Sequence, residues 1–140
     1  MFRQIVFSLA LVTAIFLCSC TNPFKAGEMS DASVAAFHQK LDQAQFHDIY
    51  ANSSPEFQRA TSEKDITELF NAVHTKLGNV ASTNRTNIFV NATTGGTFVR
   101  TTYQTAFAHG KGTETFNWLL ANNQLTLVGY DIQSRDLVVK

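Results

Sequence analysis

Apolar and polar residues alternate along the C-terminal half of the chain. Val99, Tyr103 and Phe107 stand against Arg100, Gln104 and Ala108, and Phe116, Trp118 and Leu120 against Thr115 and Asn117. A period of two marks strands with one buried face. Gly95-Gly96, His109-Gly110-Lys111-Gly112 and Asn122-Asn123 punctuate the pattern as turns, so residues 87–132 predict a four-stranded antiparallel meander. Residues 80–90 are rich in Thr and Asn, and the first strand reads clearly only from about Thr86. In the last strand Leu125 and Leu127 fall on one face and Val128, Tyr130 and Ile132 on the other. A bulge near Val128 and Gly129 reconciles the two phases.

Upstream the period changes to that of a helix. Ser30 or Asp31 is placed to cap a helix that buries Val34, Phe37 and Leu41, with Ala44 alongside. At 100° per residue an unbroken helix would carry Phe46 and Tyr50 away from that stripe, whereas Phe46, Ile49 and Tyr50 form a stripe of their own, which predicts a break at residues 43–45. Ser54-Pro55 reads as an N-cap followed by proline at the first helical position of a short helix to about Ala60. Ser62 with Asp65 resembles a capping box, Ile66, Leu69, Phe70, Val73 and Leu77 share one face, and Gly78 is placed to end that helix. Helices followed by a meander define an α+β architecture, with N-terminal helices packed on a curved antiparallel four-stranded sheet.

Composition narrows the picture further. A chain of 140 residues with 44% hydrophobic residues supports one domain with one core, here residues 30–140. Its 11 basic and 11 acidic residues cancel and form no block, a balance without the electrostatic footprint of a nucleic-acid partner. With 12 Phe and one Trp, the core is built on phenylalanine.

The N-terminus has its own logic. Arg3 precedes an apolar run over residues 5–17, long enough for a signal-peptide core and too short for a membrane span. The run ends in Leu17-Cys18-Ser19-Cys20, which resembles the bacterial lipobox. The resemblance implies a signal peptide over residues 1–19 and lipidation of Cys20 as the first mature residue. Several acyl chains, palmitate among them, would make the membrane anchor stable, since a single chain holds only marginally. Cys18 is then removed and Cys20 blocked, so no disulfide is expected although the exported compartment permits one. The competing reading is an ordinary secretory signal with incidental cysteines. Residues 20–29 show turn formers and no periodicity, and read as a tether. Thr21 rather than Asp after the cysteine resembles lipoproteins sorted to the outer membrane, which implies a cell-envelope location facing the periplasm.

The order of elements resembles the nuclear transport factor 2-like superfamily, also grouped with cystatin-like folds, in which a bent sheet wraps helices into a cone. Gln45-Phe46-His47-Asp48-Ile49-Tyr50 running into Ser54-Pro55-Glu56-Phe57, and the ending Leu127-Val128-Gly129-Tyr130-Asp131-Ile132, look like small exported bacterial domains of unknown function in that superfamily. The resemblance covers residues 32–134. It implies a cone-shaped interior and leaves a homodimer through the sheet face open.

Candidate chemistry is sparse. His38 and His47 each follow a phenylalanine nine residues apart, which in a straight helix sends the rings to opposite sides and makes no chelating pair, so no metal is expected. The nine-residue spacing of Phe89, Phe98, Phe107 and Phe116 crosses turns and carries no geometry. His74, Tyr103, Phe107, Trp118 and Tyr130 are candidates to line a pocket in the cone; the alternative is that these rings fill the core. The sequence holds no glycine-rich phosphate loop, Cys-x-x-Cys pair, His-Glu-x-x-His segment or Gly-x-Ser-x-Gly elbow, and no cofactor is expected. Asn52, Asn84 and Asn91 head Asn-x-Ser/Thr triplets that carry no meaning in a bacterial lipoprotein.

Two functions follow. One is a lipid-anchored, non-catalytic domain that binds a small amphipathic ligand or a partner protein, with an accessory subunit of an envelope assembly, presenting an apolar patch on the outer sheet face, as its structural variant. The other is an isomerase- or dehydratase-like enzyme, with Asp131 or His74 as base and Tyr103 or Tyr130 as hydrogen-bond donor. The enzyme requires an acid or base buried beside a tyrosine hydroxyl at the foot of a cavity. A cone filled by side chains favours partner binding.

Overall fold

In the computed structural model, which describes residues 22–139, helix α1 runs from Pro23 to Asp42 and so begins earlier than the apolar spacing predicts. Asn22 caps it, its side chain accepting from the Phe24 N–H at 3.0 Å, and Pro23 occupies the first turn. Residues 23–29, expected as a tether, are therefore the opening turns of the domain. The reason is chemical: the buried face of these turns is made of small residues, Ala26, Gly27 and Ser30, and gives no hydrophobic stripe. At Gly27 a Cβ would stand 2.5 Å from Nη1 of Arg85, so the helix lies directly on that guanidinium. The segment Leu17 to Cys20 lies outside the described residues.

The remaining helices agree with the spacing. The break falls after Asp42, where Ala44 takes a φ of 53°. α2 spans Phe46–Ala51, α3 Pro55–Ala60 and α4 Glu63–Leu77. Ser54 Oγ accepts from Phe57 N–H and Ser62 Oγ from Asp65 N–H, each at 3.1 Å. α4 buries Ile66, Phe70, Val73 and Leu77 and stops at Gly78, whose φ of 77° suits glycine.

Strands β1 (Val80–Thr93), β2 (Gly96–Phe107), β3 (Gly110–Ala121) and β4 (Gln124–Gln133) form one antiparallel sheet in the order β1-β2-β3-β4. β1 reaches back to Val80, further than the sequence pattern shows. It is an exposed edge strand, and register shifts at Val80/Ser82 and Arg85/Asn87 interrupt its alternation. The turn after β2 is Ala108-His109, not residues 109–112, because Phe107 already pairs with Gly110. Gly110 to Gly112 thus belong to β3, and Gly112 is buried where a Cβ would meet Ile132 at 3.2 Å. Asn122 and Asn123 both take positive φ, as a two-residue hairpin turn matched to strand twist requires.

The bulge in β4 is present. Gly129 pairs with Asn117 and Leu127 with Trp118, leaving Val128 as the extra residue. The insertion resets the phase, so that Leu125, Leu127, Tyr130 and Ile132 all pack against the core. A short helix, α5 (Arg135–Val139), follows without a signal in the sequence reading. The core lies between the helices and the concave face of the sheet, centred on Phe37, Phe70 and Phe116. Each such ring contributes on the order of 1.5–3 kcal/mol by burial.

Candidate functional site

The interior of the cone is filled with aromatic rings. Phe116, fully buried, stands 5.0 Å from Phe37, 5.2 Å from Tyr130, 5.7 Å from Tyr103 and 5.5 Å from Trp118, stacked on the last at 8°. Tyr103, Phe107 and Trp118 are all buried. Of the rings expected to line a pocket, Trp118 reaches a cleft, Tyr103 borders a small recess beside Asp31 and Arg85, and Tyr130 packs in the core. His74 is not gathered with them. It sits on α4 against Phe46, ring centres 6.1 Å apart, with a buried Nδ1 that has no partner among the described residues. Asp131 is exposed.

Behind the rings lies a charge that sequence reasoning missed. Glu114 is fully buried, and three donors converge on its carboxylate: His38 Nε2 at 2.7 Å, Thr105 Oγ1 at 2.6 Å and Tyr130 Oη at 2.8 Å. Thr105 is itself partnered by Thr83 at 2.7 Å. A buried carboxylate is tolerable only when its oxygens are satisfied in this way. Burial first, then the charge of Glu114 and the hydrogen bond to it, raises Tyr130 well above the ordinary tyrosine range. The signal was available: Glu114 keeps the phase of Phe116 and Trp118 in β3, so the alternation already aims it inward.

A second network ties α1 to the sheet. Ser30 Oγ bonds Thr101 at 2.8 Å and Tyr103 Oη at 3.1 Å, and Trp118 Nε1 donates to Thr101 at 3.2 Å. Tyr103 Oη also donates to Asp31 at 2.8 Å, and Arg85 clamps the same carboxylate through Nε and Nη2 at 2.9 and 3.2 Å. Desolvation pushes the Tyr103 hydroxyl up to about 12; Asp31 adds to the rise, while Ser30 and Thr101 oppose it.

The cleft opens at one edge of this packing. Ser33, Ala36, Phe37 and Lys40, spaced three and four apart on one face of α1, form one wall. Ile49 and Asn52 from the α2 region, Trp118, and residues 124–127 of β4 complete a space of about 320 Å³, at the small end of ligand sites. Phe37, Ile49, Trp118, Leu125 and Leu127 give it apolar surface, and Ser33, Lys40, Thr126 and the exposed Asn52 and Gln124 give it a polar share at least as large. Lys40 is half-buried there, and no carboxylate pairs with it among the described residues.

A curved four-stranded meander with helices laid across its concave face is the nuclear transport factor 2-like fold. A crystal structure from Novosphingobium aromaticivorans DSM 12444, described as that of a candidate scytalone dehydratase, shares it with a TM-score of 0.51 over 79% of this chain and 85% of that one, at 10% identity. The chain belongs to the family described as protein of unknown function DUF4019, whose model matches residues 33–130. No curated protein sequence matches it significantly. Among the described residues no helix is long and apolar enough to cross a membrane.

Proposed function

We propose that the protein is a lipid-anchored envelope lipoprotein whose domain binds a small ligand or a protruding group of a partner protein and carries out no chemistry. The observation that carries the binding half is the filled cone. Stacked and edge-on rings occupy the interior between helices and sheet, and the cleft at the α1–β4 edge is a concavity bordered by several of the same rings. The lipobox supports the anchor at Cys20, with the outer membrane facing the periplasm as the favoured site.

The two halves are tested separately. Cells fed a labelled fatty acid should mark the wild type and leave Cys20→Ala unmarked; equal labelling of both overturns the anchor. A photo-crosslinking residue at Asn52, on the cleft border, should give an adduct in intact cells that the same residue at Lys64 on α4 does not. Adducts from Lys64 alone would move the binding face elsewhere.

A second reading, an isomerase- or dehydratase-like enzyme, is favoured by Glu114 lying beside the Tyr130 hydroxyl and His38. Against it, all three hydrogen bonds of the carboxylate are internal, and Phe37 and Phe116 pack against its partner His38. The two bases that the sequence suggests do not fit either, since Asp131 is exposed and His74 stands apart from the cleft.

A further inference from the structure

We infer that the α1–β4 cleft takes a small organic acid, a carboxylate on an aromatic or short aliphatic body, with the acid group on Lys40. The inference rests on the cleft being the binding face, and it names the class of ligand.

Its basis is a contrast in how charges are treated. Buried or half-buried charges in the two internal networks are paired: Glu114 has three donors, and Asp31 and Arg85 hold each other. Lys40, partly buried, lines the mixed polar and apolar cleft without such a partner among the described residues. A lysine at the edge of a cleft lays its apolar stem along the wall and keeps its ammonium in water, where it is free to take an anion that enters. No Asp, Glu or Arg lines this cleft, so nothing there competes for Lys40 or repels an anion. The floor sets the rest of the ligand. Phe37 and Trp118 offer aromatic surface, Ile49, Leu125 and Leu127 aliphatic surface, and the amides of Asn52 and Gln124 can meet the second oxygen of a carboxylate. The volume of about 320 Å³ suits one ring or a medium chain rather than a long acyl tail.

The single tryptophan of the chain lies in the cleft wall, so its fluorescence responds to a ligand that enters there. The full-length protein in phosphatidylcholine vesicles is titrated with 3-phenylpropionate and with 3-phenylpropanol, which has the same body and no charge. We expect a saturable change with the acid and binding about tenfold weaker with the alcohol, the size of one charge-assisted contact at a half-exposed site. Lys40→Gln should erase that difference and Lys40→Arg should keep it, circular dichroism reporting that both are folded. Equal binding of acid and alcohol by the wild type overturns the acid class and leaves the cleft as a binding face. Saturation by neither compound also overturns it, and crosslinking from Asn52 then decides separately whether the cleft is the binding face. Retained discrimination in Lys40→Gln removes Lys40 from the site.

Discussion

The Glu114 network and the Lys40 cleft lie on either side of the same aromatic core, and they treat charge in opposite ways. Glu114 is entirely inside, and its carboxylate takes hydrogen bonds from His38, Thr105 and Tyr130. Such a group locks α1 to β2, β3 and β4, and its chemistry is used up internally. Lys40, seven residues after Ser33 on α1, lines a cleft of mixed polar and apolar residues and has no counter-charge among the described residues. A buried polar group whose valences are met inside the fold argues for structure, whereas a charge at an open cleft is left free to meet a ligand.

The widest gap between the two regions should appear in stability. Glu114→Ala leaves His38, Thr105 and Tyr130 without their acceptor, and breaking a buried pair from one side costs about 3–5 kcal/mol. Urea unfolding should show that loss, and a loss under 1 kcal/mol would mean the network is dispensable. A His38→Ala/Glu114→Ala cycle sharpens the point, since the double variant should lose less than the two single losses combined.

Alkaline pH offers a second probe. Tyr103 and Tyr130 are held protonated above the usual tyrosine range by burial first. A raised pKa in the folded state leaves stability intact below about pH 10 and removes it as the pH rises. Between pH 10 and about 12, the value reached by Tyr103, stability should fall by about 1.4 kcal/mol per pH unit for each tyrosine still protonated only in the folded state. Denaturation midpoints that stay flat through that range would contradict the burial of these hydroxyls.

Next in size is Gly27→Ala. The new methyl group displaces the Arg85 guanidinium from the helix and weakens its clamp on Asp31, a half-exposed pair. A loss of about 1 kcal/mol is expected, small because the arginine can move aside. The smallest effect belongs to the cleft: Lys40→Met should shift unfolding by no more than about 0.5 kcal/mol. A loss as large as that of Glu114→Ala would make Lys40 a structural residue and end the contrast.

The sequence made the sheet and the later helices legible because their apolar spacing is regular and their caps are side chains that bond where expected, Ser54 to Phe57 and Ser62 to Asp65. Two local features hid the rest of the fold. The first turns of α1 bury Ala26, Gly27 and Ser30, which form no hydrophobic stripe. β1 changes phase twice at its bulges. The Asn22-Pro23 cap was readable by the rule that found Ser54-Pro55. Glu114 was hidden by its residue type, since a charged residue in a strand usually points outward, though its parity with Phe116 said otherwise. The cleft had no local signature, because α1, α2, β3 and β4 each contribute only a few of its residues.

The early start of α1 has a mechanical consequence. With the lipid on Cys20, as proposed, the chain from that residue to Asn22 can span no more than about 7 Å. The domain is then mounted on the bilayer like a post in a socket rather than a float on a line. With Cys20 so anchored, Phe24, 73% exposed in the first turn, and the neighbouring Lys25 would lie near the lipid headgroups. At a rise of 1.5 Å per residue, Ser33 and Lys40 lie about 16 and 27 Å along the helix from Asn22. An axis near the membrane normal would then hold the cleft on the aqueous side, above the headgroups.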